Sequence, residues 1–236
     1  MLFLHEVHRV VGRREKDFEA AYRDGWLPQV AEDGTAARLL WYLHHAHGTG
    51  PSYQVVTVTG LADGAAWERL ARRVHGGDLR EWAREVDACR HDVAGRLLRP
   101  LDFSPPAVTL ADVPTDARRH ETSLYMEDTM WPKRGRVDEY VRLAGDFYAK
   151  LLTAGRSDDE ILLRIEAALQ TMPGAGRHPE VTLLQKVGNM SRLVHLLTND
   201  MPERMRRPGQ WMHDALEYRD QWQSNLLRTA DWSPLW

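Results

Sequence analysis

Two imidazoles, His5 and His44, and two carboxylates, Glu127 and Glu166, stand in short alternating segments that read as β-strands. Alternate residues of a strand share a face. His5 therefore goes with Phe3 and Val7, and His44 with Leu40, Tyr42 and Ala46. Glu127 goes with Tyr125 and Thr129, and Glu166 with Leu162, Arg164 and Ala168. Lining one partly dry cavity, these groups would shift one another's pKa values toward neutrality and exchange protons, with His44 and His5 as the acid–base pair and a carboxylate balancing them. Tyr42 and Arg164 would polarise a carbonyl oxygen or enolate. Tyr125, Trp26 and Trp41 complete the candidate substrate-binding wall. Two His and two carboxylates also match a divalent metal by donor type, but they come from four separate strands, and the reading assigns no metal. A one-residue slip in any strand would reverse its set.

Other motifs carry less chemistry. His44 to His47 reads HHAH, but His45 and His47 share a face that His44 does not. The glycine-rich HGTGP and PGAGR lack a GK[ST] ending and sit inside hairpins, so they are not phosphate loops. GxSxG, HExxH and CxxC are absent from the sequence. His178 reads as a turn residue and His195 as a helix-face residue. The lone cysteine, Cys89, falls at an apolar helical spacing and reads as a buried thiol in a reducing compartment.

Lys and Arg number 31 against 34 Asp and Glu, for a formal charge of -3, which gives no phosphate-tracking surface. The apolar start MLFLHEVHRVV is broken by His5, Glu6, His8 and Arg9 and reads as a strand rather than a leader. The expected protein is soluble and cytoplasmic, with a small-molecule substrate, no nucleic acid and no membrane partner. It is expected as a monomer (a pseudo-dimer) or a homodimer.

Positioning these residues falls to an internal duplication. LLRPLDFSP, from Leu97, recurs as LLRTADWSP, from Leu226, and the same offset carries Trp82 onto Trp211 and Arg90 onto Arg219. Nearer the start of each copy the offset is shorter, placing Arg14, Phe18 and Leu40 opposite Arg136, Tyr140 and Leu162. Each copy reads as strand, helix, hairpin, helix and closing strand. The first helix carries Phe18, Tyr22, Trp26 and Val30 in one copy. In the other it carries Val137, Tyr140, Val141, Ala144, Tyr148, Leu151 and Leu152. The second helical region holds Leu79, Trp82, Val86, Cys89 and Val93, matched by Trp211, Ala215, Trp222 and Leu226, and Arg90 reads as helical. The expected boundaries are 1–106 and 120–236, with a linker at 107–119 rich in proline and small residues.

A doubled βαββαβ unit resembles the dimeric α/β-barrel superfamily with both halves fused. A helical Arg90 followed by LLRPLDFSP is similar to its NIPSNAP-type members. The resemblance implies an α+β fold of two tandem ferredoxin-like units forming an intramolecular dimeric α/β barrel. Relatives of that fold include cofactor-independent oxygenases, isomerases, cyclases and haem-binding enzymes. The function expected is a cofactor-independent enzyme acting by general acid–base chemistry (cyclisation, dehydration or isomerisation) on a small apolar, aromatic or polyketide-like metabolite. The alternatives are a non-catalytic binding or interaction module, a cofactor-independent monooxygenase, and a haem- or metal-dependent enzyme.

Overall fold

The alternating segments of both copies become strands in the computed structural model, which describes residues 1–152 and 161–236, with side chains for 1–148 and 161–236. The first copy runs β1 (Leu2–Val10), α1 (Glu15–Ala20), a π-helical turn (Ala21–Trp26), α2 (Leu27–Val30), β2 (Ala37–His45), β3 (Gln54–Leu61), α3 (Gly64–Gly76), α4 (Arg80–Asp87) and β4 (Arg90–Pro100). The second runs β5 (Leu124–Pro132), α5 (Val137–Leu152), β6 (Leu163–Thr171), β7 (Val181–Val187), α6 (Met190–Thr198), α7 (Trp211–Asp214) and β8 (Arg219–Thr229). Strand order is β4-β1-β3-β2 in the first and β8-β5-β7-β6 in the second, the antiparallel ferredoxin-like arrangement. No helix among the described residues is long and apolar enough to cross a membrane.

The four-residue spacing of Phe18, Tyr22, Trp26 and Val30 outruns the 3.6-residue α-helical turn. The π turn at Ala21–Trp26 takes up the difference, and all four side chains reach the core. Trp82 of α4 lies against Gly25 in this turn, where an added Cβ would meet its ring at 2.7 Å. Its indole N–H donates to the Ala21 carbonyl at 2.8 Å. In α5, Tyr140, Val141, Ala144 and Tyr148 pack as the stripe requires. The side chains of Leu151 and Leu152 lie outside the described residues.

Strand phase holds in β1 and β5 but reverses midway through β2 and β6. Leu39 pairs with Thr59, and Trp41 then pairs with Val58, leaving Leu40 as an extra residue. Ile165 pairs with Gln185 and Ala167 with Leu184, leaving Glu166 extra in the same way. These are β-bulges. Ala37 and Leu39 face the helices before the bulge, and Tyr42 faces them after it. The matching bulges also make Tyr42 the equivalent of Ala168, not of Arg164, so part of the insertion in the second copy precedes β6.

The helical reading of Arg90 is corrected as well. Helix α4 ends at Asp87, and Arg90 opens β4, as Arg219 opens β8. The apolar spacing that ran on to Val93 continued by coincidence into a strand.

The chain divides into two compact units, and the copies exchange their ends. Unit 1 is Met1–Arg99, Pro106–Leu124 and Leu226–Trp236, and unit 2 is Pro100–Pro105 with Tyr125–Asn225. Leu110, from the segment expected as a linker, is buried in unit 1 over Gly60 and Leu40. The repeated Ser-Pro motif explains the exchange. In unit 2, Leu101 N–H donates to Ala168 O at 2.8 Å, and Ala168 N–H to Ser104 Oγ at 3.1 Å. In unit 1, Ala230 N–H donates to Tyr42 O at 3.0 Å, and Tyr42 N–H to Ser233 Oγ at 3.0 Å. The aromatic residue between follows suit: Phe103 stacks on Tyr148 at 5.9 Å, and Trp232 packs on Tyr42 at 4.8 Å.

Each serine satisfies a backbone N–H just past a bulge. Ser233→Ala and Ser104→Ala should each destabilise the protein by about 1–3 kcal/mol, the cost of an unsatisfied buried donor. Urea unfolding of both variants measures this, and wild-type midpoints for both would remove the serines' anchoring role.

Candidate active site

On the helix-covered face of unit 1, the even residues of β1 meet the first residue of β4. Arg90 Nη1 donates to His8 Nδ1 at 2.9 Å, while its Nε donates to Asp87 Oδ1 at 2.9 Å. With Nδ1 accepting, the ring proton is assigned to Nε2, which donates to Thr57 Oγ1 at 3.0 Å and lies 3.3 Å from the Tyr22 hydroxyl. His8 is fully buried. Burial first, then the Arg90 charge, holds its pKa well below the usual imidazole value, so it is neutral. Burial likewise pushes the Tyr22 hydroxyl well above its usual value.

Glu6 shares this face, two residues before His8. Burial pushes its carboxyl up to about 7, and Arg90 restrains the rise. It nonetheless keeps some solvent contact, and β4 shows why. Glu6 pairs with Gly95, where an added Cβ would come no closer than 3.9 Å to Glu6 Cγ. The run His91–Gly95 is exposed. Glu6 therefore sits beside an exposed stretch of strand, at a position where Gly95 contributes no side chain.

Aromatic rings form the rest of the surroundings. Tyr22 lies edge-on to Trp82 at 5.4 Å, Trp26 stacks on Trp82 at 4.4 Å, and Phe18, Tyr22 and Trp232 surround Tyr42. The Tyr42 hydroxyl is buried without a hydrogen-bond partner among the described residues. On the outer side of Trp82 a cavity of about 780 Å³ opens between the π turn and α4. Arg14, Asp17, Asp24, Glu81 and Cys89 are among its lining residues.

Within each unit the sequence-nominated residues are placed as follows. Tyr42, His44 and Trp26 are on the helix side of unit 1. His44 lies 3.9 Å from both Glu15 and Glu19, and burial lowers its pKa while Glu19 opposes the shift. Trp26 Nε1 donates to Thr59 at 3.2 Å. His5 and Trp41 are buried on the opposite face of the same sheet, with Arg96 Nη2 3.0 Å from His5 Nδ1. His5 and His44 therefore do not meet, and no metal can share them. In unit 2, Tyr125 and Glu127 are buried on the face away from the helices. Arg164 and Glu166 pair with each other at 2.8 Å beside the bulge.

Glu6, His8 and Arg90 were missed as a group, although the repeat held a signal for them. The offset of the first strands carries Glu6 onto Asp128, another carboxylate, just as the later offset carries Arg90 onto Arg219. In unit 2, however, His8 is replaced by Met130, Asp87 by Leu216 and Gly95 by Ser224. Ser224 Oγ donates to Asp128 at 2.5 Å and Gln185 Nε2 donates to it at 2.9 Å. The carboxylate is open in unit 1 and capped in unit 2. An axial haem ligand does not fit at His8, because both of its ring nitrogens are engaged.

The raised Glu6 pKa has a stability signature. A carboxyl titrating higher in the folded than in the unfolded state contributes most below the unfolded value, near 4.5, and loses that contribution as pH rises through about 7. Relative to Glu6→Gln, the wild type should lose on the order of 3 kcal/mol between pH 4.5 and pH 8. Urea unfolding at both pH values measures it, and a pH-independent difference would contradict the shift.

No family model matches the chain, and no curated protein matches it in sequence. Solved structures do match it. A candidate monooxygenase from Lactobacillus acidophilus NCFM is 8% identical, with a TM-score of 0.60 over 99% of this chain and 97% of its own. A candidate monooxygenase from Fusobacterium nucleatum is 5% identical, with a TM-score of 0.62 over 97% and 91%. An anthrone oxidase-like protein is 8% identical, with a TM-score of 0.55 over 97% and 91%. Each likeness covers both ferredoxin-like copies, and the chain has the α+β fold of the dimeric α/β barrels, with two ferredoxin-like units in tandem.

Proposed function

We propose that unit 1 is the active site of a small-molecule enzyme in which Glu6 exchanges a proton with an aromatic, phenolic or polyketide-like carbon acid lying over Gly95. The observation that carries this reading is a part-exposed carboxyl near a part-buried, hydrogen-bonded arginine. A carboxyl titrating near 7 is half ionised at neutral pH, which suits a group that takes a proton in one step and returns it in the next. Arg90, fixed by Asp87 and His8, supplies positive charge beside the enolate or phenolate that proton loss creates. His8, Thr57 and Tyr22 position Arg90. Trp82, part-exposed, can offer a ring face to a planar substrate, with Trp26 and Tyr42 buried behind it, and His44 stands near Tyr42 at the end of β2. Returning the proton to another atom gives isomerisation, and loss of a β-hydroxyl or attack on a carbonyl gives dehydration or cyclisation.

The names of the similar structures favour a second reading on the same residues. Proton loss from an activated CH2 to Glu6 would leave a carbanion that reacts with dioxygen. Carbon–oxygen bond formation followed by loss of water gives a carbonyl, so that CH2 and O2 become C=O and H2O.

A panel of anthrone-type polycyclic phenols tests both readings, with oxygen uptake and product absorbance followed together. Glu6→Gln should lower turnover at least about 100-fold. Gly95→Ser, which imports the hydroxyl found in the other copy, should lower it about tenfold or more by capping Glu6. Wild-type rates in both folded variants would overturn the assignment. Saturable binding without turnover in the wild type would favour a non-catalytic module.

A further inference from the structure

Unit 2 retains the arginine and replaces both of its partners. Arg219, at the first residue of β8, is 5% exposed, and its Nε and Nη1 have no hydrogen-bond partner among the described residues. The positions that hold Arg90 in the first copy, His8 and Asp87, are Met130 and Leu216 here. The nearby Asp128 is engaged by Gln185 and Ser224. What surrounds the guanidinium is aromatic: Trp222 at 4.5 Å, Trp211 at 5.9 Å and Tyr140 at 6.0 Å from the ring centroids. The Tyr140 hydroxyl, fully buried, faces Arg219, whose charge and N–H oppose the rise in pKa that burial causes, and its own O–H meets no acceptor in hydrogen-bond geometry among the described residues.

Ring faces attract a cation but accept few of its N–H bonds. A buried guanidinium and a buried hydroxyl, both with donors unused, are complementary to an anion that brings its own acceptors. Stacked rings beyond them, Phe147 on Trp211 at 4.9 Å, favour a flat apolar body attached to that anion. Trp222, whose ring lies 4.5 Å from the guanidinium, is itself 44% exposed.

We propose that unit 2 carries a binding site for an aromatic carboxylate, with Arg219 and Tyr140 donating to the carboxylate and Trp222 forming the outer wall. The site is independent of the proton chemistry at Glu6. It makes the two copies functionally unequal: one exchanges protons, and the other captures an anion.

Benzoate is the probe, with benzamide as its neutral counterpart and inorganic phosphate as a non-aromatic anion. Thermal unfolding and tryptophan fluorescence are followed on the full chain. Benzoate should raise Tm and change the fluorescence saturably, whereas benzamide and phosphate should do neither. Arg219→Met should weaken benzoate at least tenfold, and Tyr140→Phe, which removes only the hydroxyl, about three- to tenfold. If Arg219→Met does not fold, Tyr140→Phe decides. No saturable response to benzoate, an equal response to benzamide or phosphate, or unchanged affinity in the folded variants would overturn the proposal.

Discussion

The hydrogen bonds that close each unit depend on one extra residue in its second strand. Leu40 and Glu166 are bulged, and the backbone just beyond each bulge is held by a Ser-Pro segment from the end of the other copy. A bulge alone leaves ladder groups unpaired and the strand free to bend. The serine hydroxyl and the neighbouring N–H satisfy those groups, and an aromatic side chain then fills the space under the first helix. Trp232 adds a bond to that helix, with its Nε1 donating to Glu19 at 2.7 Å. Strand phase, helix packing and the exchanged ends are thus consequences of one local irregularity that occurs twice.

Much of the fold was legible because duplication turns weak patterns into paired ones. The order of elements and the helix stripe under Tyr140 follow from hydrophobic spacing read in two copies at once. The bulges were not legible. An additional residue in a run such as RLLWYLHH changes no composition, yet it sends Tyr42 and His44 to the helix side while His5 stays on the other. Arg90 was misread because Leu79, Trp82, Val86 and Cys89 follow helical spacing and the next apolar residue, Val93, extends it by chance. The chemistry of a residue can be read in a sequence, but its neighbours across a sheet depend on register.

The substitutions between copies define what each site can do. A carboxylate on the first strand and an arginine at the start of the last are kept in both: Glu6 with Arg90, and Asp128 with Arg219. The surroundings differ at every other position compared. His8, Thr57 and Asp87 give Arg90 a polar frame, and their equivalents Met130, Leu183 and Leu216 give Arg219 an apolar one. The same side chain becomes a fixed positive charge in one unit and a donor with unused bonds in the other.

The two carboxylates diverge for a related reason. Burial raises the pKa of both, because it penalises the ionised form. Around Asp128 that effect is opposed by two hydrogen bonds, from Ser224 and Gln185, which favour the ionised state and occupy the oxygens. Around Glu6 the opposition comes from the charge of Arg90, which acts through space, and its carboxyl makes no hydrogen bond among the described residues. A carboxyl held near neutrality by a charge can still accept a proton from a ligand, whereas one held by hydrogen bonds must first break them. Gly95 keeps Glu6 in the first state, since any hydroxyl at that position would convert it toward the second.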